Sequence, residues 1–167
     1  MPDRETLERA RRDKRQGKAP STQAGEFIRE EMEHIREGKH GARSSKQAIA
    51  IGLSKARRAG IDLPPPRGGA ATQKTRRSAT RDYERGQSER SGAKSARRSR
   101  ASLGALKREG RAAASHAALS QQATSAARRR SSAQRSAAAR KAVRTKGPGA
   151  RAAAARKAAH SRTLHAH

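Results

Sequence analysis

Across 167 residues the chain sets 41 Lys and Arg against 14 Asp and Glu, a formal net charge of +27, with one Phe, one Tyr and no Trp. Only 32% of residues are hydrophobic and most of those are Ala, which excludes a conventional core of large side chains over the whole length. High net charge with little to bury points to disorder in part of the chain, because little buried area offsets the entropy of ordering.

Cysteine is absent, which excludes disulfides and thiolate chemistry. No apolar run approaches the roughly 18 residues of a membrane span. "MPDRETLERARRDKRQGK" lacks the apolar centre of a secretory signal, and Asp3, Glu5, Glu8 and Asp13 argue against a transit peptide. The expectation is a cytoplasmic protein without a membrane span.

Residues 1–20 are expected to form a charged N-terminal helix or arm. Leu7 is the only large apolar residue of its helical stretch, so a solvated or fraying helix is expected. After "GKAPST", Ser21 or Thr22 can cap a second helix. In it Ala24, Ile28, Met32 and Ile35 form a stripe with Phe27 beside them, and Gly38 stops it. "GKHGARS" reads as a turn. Ser44 and Gln47 then have the spacing of a capping box. Ile49, Leu53 and Ala56 line one face of the next helix, broadened by Ile51, and Gly60 with Ile61 suits a Schellman ending. Gly52 costs the helix about 1 kcal/mol relative to Ala, which close approach of the partner helix would compensate.

The two helices predict a hairpin over residues 21–62, with Phe27, Ile28, Met32, Ile35, Ile49, Leu53 and Ile61 as its core. Glu26, Glu30, Glu31, Glu33 and Glu37 on the first helix face Lys46, Lys55, Arg57 and Arg58 on the second, in exposed pairs worth only about 0–1 kcal/mol each. So small a core predicts a protein partner or self-association through the hairpin.

A Pro/Gly linker, 63–69, follows, and charge changes there. Residues 1–63 hold 15 basic and 10 acidic side chains; residues 64–167 hold 26 and 4, with no acid beyond Glu109. Residues 70–167 read as a basic low-complexity tail with a weak helical pair at 102–130, around Leu103, Leu106 and Leu119. The fold class expected is all-α: a small helical hairpin followed by a largely disordered or conditionally helical Arg/Ala-rich tail.

The run "SSKQAIAIGLSKARRAG" within Ser21–Pro66 resembles a bacterial domain family of unknown function whose members carry such a run, often ahead of basic tails. That resemblance implies no activity and no site residue. The alternation of Ala, Ser and Arg beyond it resembles bacterial histone H1-like tails.

A block of positive charge this long neutralises phosphates and releases counterions. The expected function is non-specific binding to the phosphate backbone of DNA, or RNA, by a histone-like protein of the nucleoid. Lys39, Arg43, Lys46, Arg57 and Arg58 would contribute from the hairpin. Arg128, Arg129, Arg130, Arg135, Arg140, Lys141, Arg144, Arg151, Arg156 and Lys157 would carry most contacts. The alternative is an adaptor whose acidic helix docks a protein while the tail binds RNA or ribosomes.

Base-specific reading is disfavoured, since the turn is long for a helix-turn-helix and the second helix spends its best positions on Ile and Leu. Tyr83 could stack on a base, and Phe27 belongs to the core. Backbone amides around "GKHGARS" could hold a phosphate, although an ordinary cap explains them as well. The six His, including His34 with His40 and His165 with His167, lack the spacing of a known metal site, so neither metal nor cofactor is expected. No nucleophile motif, phosphate loop or paired-carboxylate cleft suggests an enzyme.

Overall fold

A computed structural model describes residues 2–67, 71–88 and 95–164. Among them there is no strand. The elements are α1 (Arg4–Arg15), α2 (Pro20–Arg36), α3 (Ser45–Arg58), α4 (Gln73–Gln87), α5 (Ala96–Lys107), a 3₁₀ turn at Ala112–Ala114, α6 (His116–Arg128) and α7 (Ser132–Leu164). The chain divides into two compact units, Met1–Gln122 and Ala123–His167.

In the first unit α2 and α3 form the expected hairpin, and the expected core residues occupy two clusters. Met32 and Ile35 pack with Ala42, Ala48, Ala113 and Ala114, joined by Ile28, Ile49 and Leu119. Phe27 packs with Ala10, Ala24, Ala56 and Ile61, joined by Leu7, Leu53 and Leu63. Gly52 lets the helices touch: a Cβ there would lie 2.8 Å from the Ile28 Cα.

Local capping accounts for the ends of α3. Ser44 Oγ accepts from the Gln47 amide at 3.3 Å, while Gln47 Oε1 accepts from the Arg43 amide, one residue before the expected box partner. At the other end Gly60 takes a φ of 84°. Its amide donates to Arg57 O and that of Ile61 to Ala56 O, the paired bonds of a Schellman ending. Helix α2 starts differently from expectation, with Pro20 at its first turn and no side-chain cap from Ser21 or Thr22.

The expectation of a hairpin with a disordered tail is overturned, because helices continue through most of the described residues after the prolines. Two physical reasons stand out. Each later helix carries a local start signal: Thr72, Ser95, Ser115 and Ser131 accept bonds from the amides of Thr75, Arg98, Ala118 and Gln134. Ser131 and Gln134 close a full capping box, since Gln134 Oε1 also accepts from the Ser131 amide.

The second reason is that Ala builds core. Eight of the twelve buried hydrophobic residues among those described are Ala. Short side chains let backbones approach closely, so burial does not need Leu or Phe at every contact.

Nor does the hairpin stand alone. Helix α1, expected to sit in solvent, packs on α2 through Leu7 and Ala10. Arg9 Nε meets Glu26 Oε2 at 2.7 Å, and the Asp3 amide donates to Glu30 Oε2 at 3.0 Å. Helix α4 covers α3 with Ala79 buried, and Gly86 sits so close that a Cβ would overlap the Arg57 carbonyl oxygen. The 3₁₀ turn closes the other end: Ser45 Oγ donates to Ala113 O at 2.6 Å and Arg36 Nε to Ala114 O at 3.0 Å. Leu63 belongs to the same unit, accepting from Arg57 Nε at 3.0 Å. Gly68 and Gly69 of the expected linker lie outside the described residues.

In the second unit α7 is exposed along nearly its whole described surface, with Val143 46% exposed. Gly147, at φ 63° and ψ 167°, breaks it ahead of Pro148. Helix propensity and the Ser131 box, rather than an apolar face, account for it.

Candidate nucleic-acid interface

The expected phosphate-binding residues separate by environment. On the hairpin Lys39 Nζ pairs with Glu37 Oε2 at 2.9 Å, and that hydrogen bond raises the Lys39 pKa. Arg43 is 82% exposed, with Glu109 Oε1 at 3.6 Å. Lys46 is exposed, and no ion pair engages it among the described residues.

Arg57 is placed differently from an accessible cation. It is 9% exposed, burial lowers its pKa, and its guanidinium holds the Leu63 carbonyl. Arg58, half-buried, has its Nε 3.6 Å from Asp82 Oδ1.

Several backbone amides of the turn are already engaged within the chain. The Gly41 amide donates to Leu106 O at 2.9 Å and the Ala42 amide to Gly110 O at 3.1 Å, and those of Arg43 and Gln47 serve the cap. The acidic face of α2 is likewise engaged within the chain. Glu26 meets Arg9, Glu33 meets Arg29, Glu37 meets Lys39, and Glu30 and Glu31 meet Lys55. Of the cations expected to draw the hairpin together, Lys55 alone pairs with α2 among the described residues.

The first unit adds cations that the sequence reading left unassigned. Arg85 of α4 and Arg98 of α5 join Arg58 along a cleft of about 590 Å³. Arg81, Arg85 and Arg98 also line the adjoining cleft beside Asp82. "TRRSATRDYER" and "ARRSR" were visible as basic runs, but only the packing of α4 on α3 shows which Arg meet. Tyr83 donates its hydroxyl to Asp62 Oδ1 at 2.7 Å, tying α4 to the chain after α3, and that bond raises its pKa.

In the second unit the expected tail cations are all exposed. Arg128, Arg129 and Arg130 lie at the end of α6 and in the connection after it. Arg135, Arg140, Lys141, Arg144, Arg151, Arg156 and Lys157 lie on α7. Some guanidiniums touch their own helix, as Arg129 does Ser125 Oγ at 2.6 Å and Arg151 the Gly147 carbonyl at 3.2 Å. None can pair with a carboxylate side chain of the same unit, because the sequence has no acid after Glu109.

Residues 4–67 are similar to a family of unknown function (DUF6496). The match opens on the first residue of α1 and ends just past the prolines, so it spans α1–α3 and covers less than half of the chain. It begins earlier than the resemblance at Ser21, in keeping with the packing of α1 on α2. No curated protein and no solved structure matches the chain significantly. No helix among the described residues is long and apolar enough to cross a membrane.

Proposed function

We propose that the chain binds nucleic acid without sequence preference, duplex DNA above all, by placing Arg and Lys on backbone phosphates as histone-like proteins of the nucleoid do. One observation carries this reading: among its described side chains α7 presents seven exposed cations between Arg135 and Lys157, in a unit whose sequence has no acidic side chain to compete for them. Unpaired surface cations attract a polyanion over a range set by the Debye length and release its counterions on contact. The Ala/Ser/Arg composition, similar to H1-like tails, supports the same reading. So does the cleft of Arg58, Arg85 and Arg98 in the first unit, at which a phosphate can meet several guanidiniums.

The test is a titration of the full chain against duplex DNA of two unrelated sequences, single-stranded RNA and heparin, over a series of salt concentrations. Affinity should fall steeply and linearly in the logarithm of salt, with little difference between the two duplexes. Failure to bind either duplex at low salt would refute the proposal. Binding to RNA at much lower concentration than to either duplex would move the function to RNA.

A further inference from the structure

The cleft that Arg58, Arg85 and Arg98 line also holds a cluster of opposite character. Glu31 is fully buried on α2, and its Oε1 receives no hydrogen bond. Lys55 Nζ stands 2.8 Å from Oε2 as an ion partner and 2.9 Å from Glu30 Oε1. The other oxygen, Oε1, faces His40 Nε2 at 3.5 Å. His34, three residues after Glu31 and so on the same face of α2, brings a third donor. One ligand atom each from Glu31, His34 and His40 lies within 4.8 Å of the other two.

His40 Nδ1 is 3.1 Å from the Gly41 carbonyl, which leaves Nε2 as the ring nitrogen turned toward Glu31. His34 Nε2 is 3.0 Å from Asp3 Oδ2, a carboxylate of the kind that orients metal-bound imidazoles.

We propose that Glu31, His34 and His40 form a binding site for a divalent first-row transition metal of the Zn²⁺ class. Two imidazoles and a carboxylate are a ligand set for that class, and Glu-x-x-His on one helix is a recurrent way to present two of them. The 3.5 Å between Glu31 Oε1 and His40 Nε2 matches the edge, about 3.4 Å, of a tetrahedron with bonds of about 2.1 Å. Lys55 stays on Oε2 and leaves Oε1 to the metal. The cleft that Glu31, His34 and His40 line gives the ion its entry and a water its fourth position. The ion would tie the turn after α2 to that helix.

Titration of the full chain with Co²⁺, read by ligand-field absorption and competed with Zn²⁺, tests the site. One equivalent with the intense visible bands of tetrahedral Co²⁺, displaced by Zn²⁺, is expected. His40→Ala and Glu31→Gln should each weaken binding by at least about tenfold, the smallest loss usual even for an outer-shell partner. His116→Ala and His160→Ala should bind as the parent does. A parent chain that shows no tetrahedral bands overturns the proposal, whether or not any variant folds. So does tetrahedral binding that survives His40→Ala undiminished, or that vanishes in a His165→Ala/His167→Ala variant.

Discussion

Arg140, Lys141 and Arg144 should act together on a nucleic acid, and α7 says how strongly. At 3.6 residues per turn each residue advances about 100°, so the three side chains fall within a sector of about 100°. Arg135 lies about 180° from Arg144 on the same uninterrupted stretch, since the break comes at Gly147. A duplex held against the three-cation face therefore cannot also be held by Arg135 of the same helix. Replacing the three by Gln preserves helix propensity and removes three charges. Each lost phosphate contact lowers the slope of log K against log salt by about 0.9, so the triple variant should lose about 2.7. Between 50 and 200 mM salt the parent's affinity should then fall roughly forty times more than the variant's. Fluorescence anisotropy of a labelled duplex, read at five or six salt concentrations, measures both slopes. Arg135→Gln alone should leave the slope within about 0.5 of the parent. If the triple variant keeps the parental slope, or Arg135→Gln lowers it as much as the triple does, the face assignment and the role of α7 both fail.

Other consequences concern the first unit. Gly86→Ala would push a Cβ into the Arg57 carbonyl, so urea unfolding should show a loss of about 1–3 kcal/mol, larger than for Gly52→Ala, whose Cβ would stand farther off, 2.8 Å from the Ile28 Cα. Gly104→Ala, with nothing near its Cβ, should instead stabilise by up to about 1 kcal/mol. Tyr83 is the sole tyrosine, so the ultraviolet band of tyrosinate should titrate above the ordinary tyrosine value in the parent chain and move down toward it in Asp62→Ala. Lys55→Met would strand Glu30 and Glu31 and cost about 3–5 kcal/mol. Burial alone would lower the Lys55 pKa, but Glu31 and Glu30 outweigh it and raise it. The Lys55 contribution should therefore be whole below about pH 10.4, the ordinary lysine value, and fade as pH rises through the higher folded value. Denaturant midpoints of parent and variant that diverge further with rising alkaline pH would contradict that sign.

What the sequence shows and what it hides follow from the range of each signal. Ser44, Gln47, Gly60 and the Ile/Leu stripe act within a turn or two of helix, and the hairpin was legible from them. The caps at Thr72, Ser95, Ser115 and Ser131 are equally local, yet a composition rich in Arg, Ala and Ser masked them, since average hydrophobicity weighs Ala as little to bury. Eight buried Ala show why that weighing fails: where helices approach over Gly52 and Gly86, a methyl group fills the space that a wider crossing would give to Leu.

The exposed cations of α7 were legible one by one, because no acid lies near them in sequence. Arg57 was not, since its burial depends on the chain turning back at Leu63. The juxtaposition of Glu31 with His40 depends on the same kind of long-range closure. The bonds from Gly41 and Ala42 to Leu106 and Gly110 hold the turn in place, and residues more than sixty positions away thereby set where His40 Nε2 points. Spacing along α2 puts Glu30, Glu31 and Glu37 within reach of His34, and only packing shows that Glu31 is the one that also meets His40. The carboxylate oxygen that meets His40 is one that folding buries without a hydrogen bond, which is why the metal reading emerges from packing and not from a motif.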